Sequence, residues 1–172
     1  PEDLSKGVQR ISPSFIRVEA DEVTYDLHIL LRFELELELV EGRLKVKDLP
    51  EAWNARFYEL FGLKVPDDRR GVLQDIHWSH GSLGYFPTYT LGNLNAAQLM
   101  VAAKMKIPGL TDQLSEGNYA PLLHWLRENV HQYGRRYLPA DLMTKATGEP
   151  TQARYRVEYL KKKYLLEKKP SC

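Results

Sequence analysis

The sequence predicts an all-α chain, and three observations carry that prediction. Residues 22–41 form one long run rich in Leu and Glu, which are strong helix formers and poor strand formers. Segments such as Asp48-Leu-Pro-Glu to Gly62 and Pro139 to Gly148 open on helix-start residues and close on glycine. Apolar residues recur at helical spacing in Leu122, Leu123, Leu126 and Val130.

In order along the chain, residues 1–20 hold Gly7, Pro13 and several serines without a sustained period, and predict a short turn of helix followed by an extended segment. Asp21 is placed to cap the helix that follows. Within that helix Phe33-Glu-Leu-Glu-Leu-Glu-Leu39 alternates strictly, the pattern of a half-buried strand. The run of about 20 residues is several times longer than an ordinary strand, so helix is the reading adopted. Arg43 to Lys47 reads as an extended link, and Asp48 caps a helix with Trp53, Phe57, Leu60 and Phe61 on its apolar face. Lys64 to Gly71 is a polar loop, and 71–84 is rich in His, Trp, Gln, Asp and Gly with no period. A helix is predicted from Pro87 through Met105 to Pro108, a second from Tyr119 to Tyr133, and a short one from Pro139. The last runs from Gln152 to about Lys168 with Thr151 as cap.

Composition narrows the function classes. The 24 Lys and Arg against 23 Asp and Glu give +1, so no global charge draws the chain to nucleic acid or an anionic membrane. With 43% hydrophobic and 27% charged residues the sequence suits a folded domain rather than disorder. No apolar run approaches the roughly 20 residues of a transmembrane helix, and the start Pro-Glu-Asp-Leu-Ser-Lys is unlike a signal peptide. One cysteine, Cys172, excludes an internal disulfide. The expectation is a cytoplasmic protein. Pro1 in place of Met suggests processing or a piece of a longer polypeptide.

No HExxH, GxSxG, Walker A, GxGxxG or cysteine-based zinc signature is present. Three segments nevertheless concentrate chemistry. His77 and His80 lie three apart and, with Asp75, offer three metal-ligand types; each histidine taken singly is better read as hydrogen-bonded in a polar turn. Tyr85 and Tyr89 lie four apart directly after that turn, and point the same way if a helix starts near Phe86. A phenol can donate to a developing oxyanion, or both tyrosines can be core residues with satisfied hydroxyls. Arg17, in Ile16-Arg-Val-Glu-Ala-Asp21, has the fork that grips a carboxylate. Its alternative is a salt bridge to Glu19, Asp21 or a helix end. The Lys161–Lys163 and Lys168-Lys169 clusters read as a solvated face.

Together the segments resemble a known family. Ile16-Arg17-Val-Glu-Ala20-Asp21 resembles the [IV]RxxAD motif of the carboxypeptidase Taq family, and Gly71-Val-Leu-Gln74-Asp75-Ile-His77-Trp78 resembles its GxxQDxHW motif. The continuation Gly-Tyr-Phe-Pro-Thr-Tyr89 and Leu91-Gly-Asn-Leu-Asn-Ala-Ala-Gln98 is also similar. The resemblance implies an all-α fold with long helices around a deep groove. It implies a metallocarboxypeptidase that removes C-terminal residues from peptides, with zinc or cobalt bound by HExxH and a downstream Glu. In the family the metal motif precedes [IV]RxxAD, so 1–172 is expected to be a single C-terminal segment of a larger domain, inactive alone and binding no metal itself. The partners expected are peptides with a free C-terminus, the missing N-terminal part and a second copy. By the same resemblance Arg17 is assigned to the substrate carboxylate, with Tyr89 as a weaker contact. His77 and Tyr85 are assigned to the oxyanion or that carboxylate, Asp75 to orienting His77 or the backbone turn, and Gln74 and Trp78 to holding the turn. His80 is left as a groove residue. The rival reading is an inert helical binding or scaffold module.

Overall fold

The computed structural model describes residues 9–166. The first eight residues of the 1–20 segment, the Lys168-Lys169 pair and Cys172 lie outside the described residues. Among the described residues seven α-helices are present: α1 (Tyr25–Val40), α2 (Leu49–Phe61), α3 (Pro87–Lys106), α4 (Leu110–Ser115), α5 (Ala120–Asn129), α6 (Pro139–Thr147) and α7 (Ala153–Lys161). Short 3-10 turns cover Arg17–Glu19, Val46–Asp48, Trp78–His80 and His131–Tyr133. No strand occurs among the described residues. None of the described helices is long and apolar enough to cross a membrane.

The alternating stretch Phe33–Leu39 is helical, and the packing shows why. A strand would place its four apolar residues on one face. In α1 they spread around the axis, so Leu31 and Leu35 are buried while Phe33 and Leu37 stay exposed. Burying a leucine side chain contributes about 1.5–3 kcal/mol, which rewards a helix that places Leu31 and Leu35 together one turn apart. Asp21 does not occupy the cap position, which is Thr24 without a side-chain capping bond, but it closes the turn that leads into α1: Oδ1 accepts the Val23 and Thr24 amides, both at 2.9 Å, and Oδ2 accepts the Thr24 hydroxyl at 2.8 Å. Oδ2 also accepts the Ser12 amide at 3.0 Å, so the carboxylate anchors the preceding segment as well.

Several local expectations are corrected. Of the link expected to be extended, only Lys45 is: the Arg43 and Leu44 amides fold back onto the Glu38 carbonyl in the last turn of α1, and Val46 and Lys47 enter a 3-10 turn. Asp48 precedes α2 but its side chain makes no capping bond; Pro50 in the first turn and Gly62 at φ 67° define that helix. The helix expected from Tyr119 to Tyr133 stops at Asn129, where Val130 leaves helical geometry at ψ −63° and φ −130°, and continues as the 131–133 turn. Helix α4 was not anticipated: Gly109 at φ 69° turns the chain after Pro108 and a new helix starts at once. Thr151 does not cap α7. Its hydroxyl lies 2.6 Å from Asn95 Oδ1, and Gln152 occupies the cap position without a side-chain bond.

The chain divides into two compact units, Pro1–Thr90 and Leu91–Cys172. In the first, Leu31, Leu35, Leu49, Trp53, Phe57, Phe61 and Val72 form the core, and Phe15, Leu27 and Trp78 pack against it. In the second, Ala102, Ala103, Leu110 and Trp125 form the core, with Leu99, Leu122 and Leu126 around it. Every residue assigned a site role lies in the first unit.

Candidate substrate-contact site

The Arg17 segment and the 71–85 bend are far apart in sequence and are brought together by two side chains. Gln74 Oε1 accepts the Arg17 amide at 2.9 Å, while Gln74 Nε2 donates to the carbonyls of Phe15, Gly71 and Arg70. Asp75 Oδ1 accepts Arg17 Nε at 3.1 Å and Nη2 at 2.7 Å. The bend begins at Gly71 because a Cβ there would sit 2.8 Å from Val65 Cγ1 and 3.3 Å from the Asp67 carbonyl. That close approach is the physical content of the glycine in the motif.

Asp75 is the centre of a charge cluster. Its second oxygen accepts Arg32 Nε at 2.6 Å, and Arg32 Nη1 donates to the His28 carbonyl at 2.7 Å. Arg32 is fully buried, with its guanidinium carbon 4.7 Å from the centre of the Trp53 ring and 5.5 Å from that of Phe86. Arg17 Nη1 donates to the Tyr25 hydroxyl at 3.1 Å, and the guanidinium carbon lies 5.0 Å from the Tyr89 ring centre. Two cations therefore share one carboxylate.

Burial alone would raise the Asp75 carboxyl, but the two guanidinium groups outweigh it and hold its pKa below the usual carboxylate range. The two arginines shift in opposite directions. Burial pulls Arg32 down to about 10 despite Asp75, whereas at Arg17 the Asp75 and Tyr25 contacts overcome burial and raise it. Both stay cationic at neutral pH. His28 lies beneath the cluster on Phe57 and Phe61, with ring centres 5.8 Å and 4.5 Å away and neither ring nitrogen hydrogen-bonded. Burial, then repulsion from Arg32 and Arg17, lowers it to about 4, so it is neutral at pH 7.

His77 faces the other side of the bend. Asp75 Oδ1 is 3.8 Å from His77 Nδ1, beyond hydrogen-bond reach, so Asp75 does not orient the ring directly. The partner that fixes it is Tyr89, whose hydroxyl lies 3.1 Å from Nε2. His77 Nδ1 has no hydrogen-bond partner among the described residues. Around the imidazole stand Phe86 at 4.4 Å, Tyr85 at 5.7 Å and Tyr89 at 6.0 Å between ring centres. Tyr85 precedes α3 and Tyr89 lies in its first turn, with their rings edge-to-face at 5.5 Å. Tyr85 is 49% exposed, whereas Tyr89 is half-buried between Arg17 and His77. Trp78 packs on Trp53 and Phe86 and donates its indole N–H to Glu36 Oε2 at 2.6 Å. His80 is exposed.

Four participants escaped the sequence reading: Tyr25, His28, Arg32 and Glu36. The last three share a signal, since they recur at intervals of four in α1 and are all buried. Buried charge on one helix face beside a leucine core needs partners: Arg32 finds Asp75 and the His28 carbonyl, Glu36 finds Trp78 and the Gly84 amide, and His28 is accommodated as a neutral ring among Phe57 and Phe61.

The metal implied by the family resemblance finds no fit among the described residues, where no group of three or more His, Cys, Asp or Glu side chains converges. The Asp75–His77–His80 alternative fails on geometry, because both Asp75 oxygens are engaged by arginines and His80 stands in solvent.

Comparison with known proteins gives a consistent result. The carboxypeptidase Taq (M32) metallopeptidase family matches over residues 1–164. Thermostable carboxypeptidase 1 of Pyrococcus furiosus is 47% identical over 165 residues, covering 96% of this chain and 33% of that protein. Thermostable carboxypeptidase 1 of Thermus thermophilus is 48% identical over 163 residues, covering 95% and 32%. The chain thus spans about one third of the length of these curated relatives. The solved Pyrococcus furiosus carboxypeptidase, an apo-Mg form, matches with a TM-score of 0.93 at 47% identity, over 96% of this chain and 33% of that one. An all-helical backbone that matches part of that structure, and a family match along nearly the whole sequence, agree with the two motifs now seen joined through Gln74 and Asp75: the chain belongs to the carboxypeptidase Taq (M32) metallopeptidase family.

Proposed function

We propose that this chain is the substrate-contact part of a metallocarboxypeptidase that releases C-terminal amino acids from peptides, and that it has no peptidase activity alone. The metal, zinc or cobalt, would be held by other residues of that larger protein. The observation that carries the reading is the union of Arg17 with the His77–Tyr85 bend through Gln74 and Asp75.

Arg17 uses three of the five N–H donors of a guanidinium on Asp75 and Tyr25, and the Arg17–Asp75–Arg32 cluster keeps an excess positive charge. Both features suit a terminal carboxylate. Tyr89 covers the guanidinium and fixes His77, so the carboxylate contact and the imidazole are held in one frame. Tyr85 presents an exposed phenol with no hydrogen bond to another described residue, suited to donate to the oxygen that becomes negative during peptide cleavage. His77 is the second donor through Nε2, which faces the Tyr89 hydroxyl, whereas its unbonded Nδ1 is buried beside Asp75. Gln74, Asp75 and Trp78 hold the bend.

The test is kinetic. In the whole enzyme Tyr85→Phe is expected to lower kcat roughly 10²-fold; an unchanged kcat removes Tyr85 from the chemistry. Arg17→Lys keeps the charge and loses the fork, so KM for peptides with a free C-terminus is expected to rise about 10-fold or more. Equal loss of bound metal in that variant would contradict the assignment. Peptidase activity in the isolated 172-residue chain would overturn the division of labour.

A further inference from the structure

Glu36 is a buried carboxylate, 5% exposed, in the middle of α1, and its two oxygens serve two different donors. Oε2 accepts the Trp78 indole N–H at 2.6 Å and Oε1 accepts the Gly84 backbone amide. Those donors bracket the tightest part of the bend. Trp78 follows His77 directly, and Gly84, at φ 74°, precedes Tyr85 directly. One carboxylate therefore closes the loop whose two ends carry the candidate oxyanion donors, and His77 and Tyr85 emerge with ring centres 5.7 Å apart. Arg32 stands one helical turn earlier on the same helix and holds Asp75. The rigid face of α1 thus fixes the bend at three points: Asp75, Trp78 and Gly84.

We propose that Glu36 is a positioning residue that sets the separation of His77 and Tyr85 by clamping Trp78 and Gly84. The inference rests on the role given to those two side chains above. Only glutamate meets the geometry. Glutamine has one acceptor oxygen and would turn an N–H toward one of the donors, while aspartate is shorter by a methylene. Misplacing a reacting group by about 1 Å can cost 10²-fold in rate, so a clamp remote from the substrate can govern kcat.

Two measurements test it. In the unmodified chain, the Gly84 amide and the Trp78 indole N–H are expected to exchange with solvent at least about 10²-fold more slowly than unprotected groups. Exchange of Gly84 at the unprotected rate would show that the clamp does not form. In Glu36→Gln, the ring resonances of His77 and Tyr85 are expected to shift while those of Tyr133 and Tyr137 stay in place. In the whole enzyme the same variant is expected to lower kcat roughly 10- to 100-fold with KM within about twofold. Tyr85→Phe should then cost much less in the Glu36→Gln background than in the unmodified enzyme, because the hydroxyl is already out of place. Fully additive losses would overturn the positioning role and leave Glu36 a stabilising residue. Protected exchange and shifted rings combined with a harmless Tyr85→Phe would instead uphold the clamp and refute the role proposed for Tyr85.

Discussion

The two units of the chain bury charge to different degrees. The unit up to Thr90 buries charge: Arg17, Arg32 and Glu36 are each no more than 7% exposed, and His28 is fully enclosed beside them. Among the described residues the unit from Leu91 buries a neutral amide, Gln98, at 1% exposure, and one charged side chain, Arg156, at 8%. Gln98 Nε2 donates to Thr147 Oγ1 and to the carbonyls of Glu149 and Pro150, and Oε1 accepts the Gln152 amide. Its bonds are local staples between α3 and the α6–α7 connection. They hold a fold and offer no charge to a ligand. The ionic cluster is costlier to desolvate, and buried ion pairs are poor routes to stability. Retaining one, with a phenol and an imidazole at its edge, fits the substrate-contact role proposed above for this region.

The contrast can be broken most severely at Asp75. Asp75→Asn leaves Arg17 and Arg32 adjacent without a counter-charge, and about 3–5 kcal/mol should be lost, by analogy with broken buried pairs. Hydrogen exchange resolved along the chain should place the loss in residues 9–90. An equal loss in the second unit would mean the two do not respond separately.

Acid should separate them next. His28 is lowered from 6.5 to about 4, so between those values the unfolded chain takes up a proton that the folded chain refuses, and stability falls as pH falls. The span corresponds to about 3 kcal/mol. The Asp75 contribution has the other origin but the same direction. Its lowered pKa gives stability that is complete above the ordinary carboxylate value of 3.8 and is lost as pH drops through the folded value. Urea unfolding followed by exchange at pH 7 and pH 4.5 should show the weakening in the first unit, and His28→Phe should remove the earlier step. Loss that persists in that variant would assign the step to other groups.

Gln98→Leu is the matching experiment in the second unit. It strips partners from the Gln152 amide and two carbonyls, for a cost of about 1–3 kcal/mol. Because nothing there titrates with Gln98, the cost should be the same at both pH values. The smallest effect is expected from Tyr85→Phe, whose exposed hydroxyl has no partner among the described residues. Stability should change by less than about 0.5 kcal/mol, which separates the role proposed for it in chemistry from any role in folding.

Much of the helical framework was legible in the chain. The Leu and Glu content of 22–41, Pro50 with Gly62 and Pro139 with Gly148 are local signals, and local signals define where helices begin and end. The failures were also local in kind. Asn129 to Tyr133 keeps an apolar rhythm while its backbone leaves α geometry, and the short α4 carries too few residues for a period to register. At the site, Arg17, Gln74, Asp75, His77, Trp78, Tyr85 and Tyr89 stood out by residue type and motif, and all seven gather in one unit. Their partners did not stand out. That Tyr89 fixes His77, while Asp75 serves Arg17 and Arg32, depends on distances across 12 to 58 residues of chain.

By itself the sequence determined the helical class and singled out the side chains proposed for chemistry, because propensity, capping residues and functional groups belong to single residues and their near neighbours. Only the tertiary structure decided who holds whom. His28, Arg32 and Glu36 read as ordinary polar positions of a helix until that helix is packed against the bend. Burial then obliges each charged group to find a partner, and the site takes its shape from those pairings.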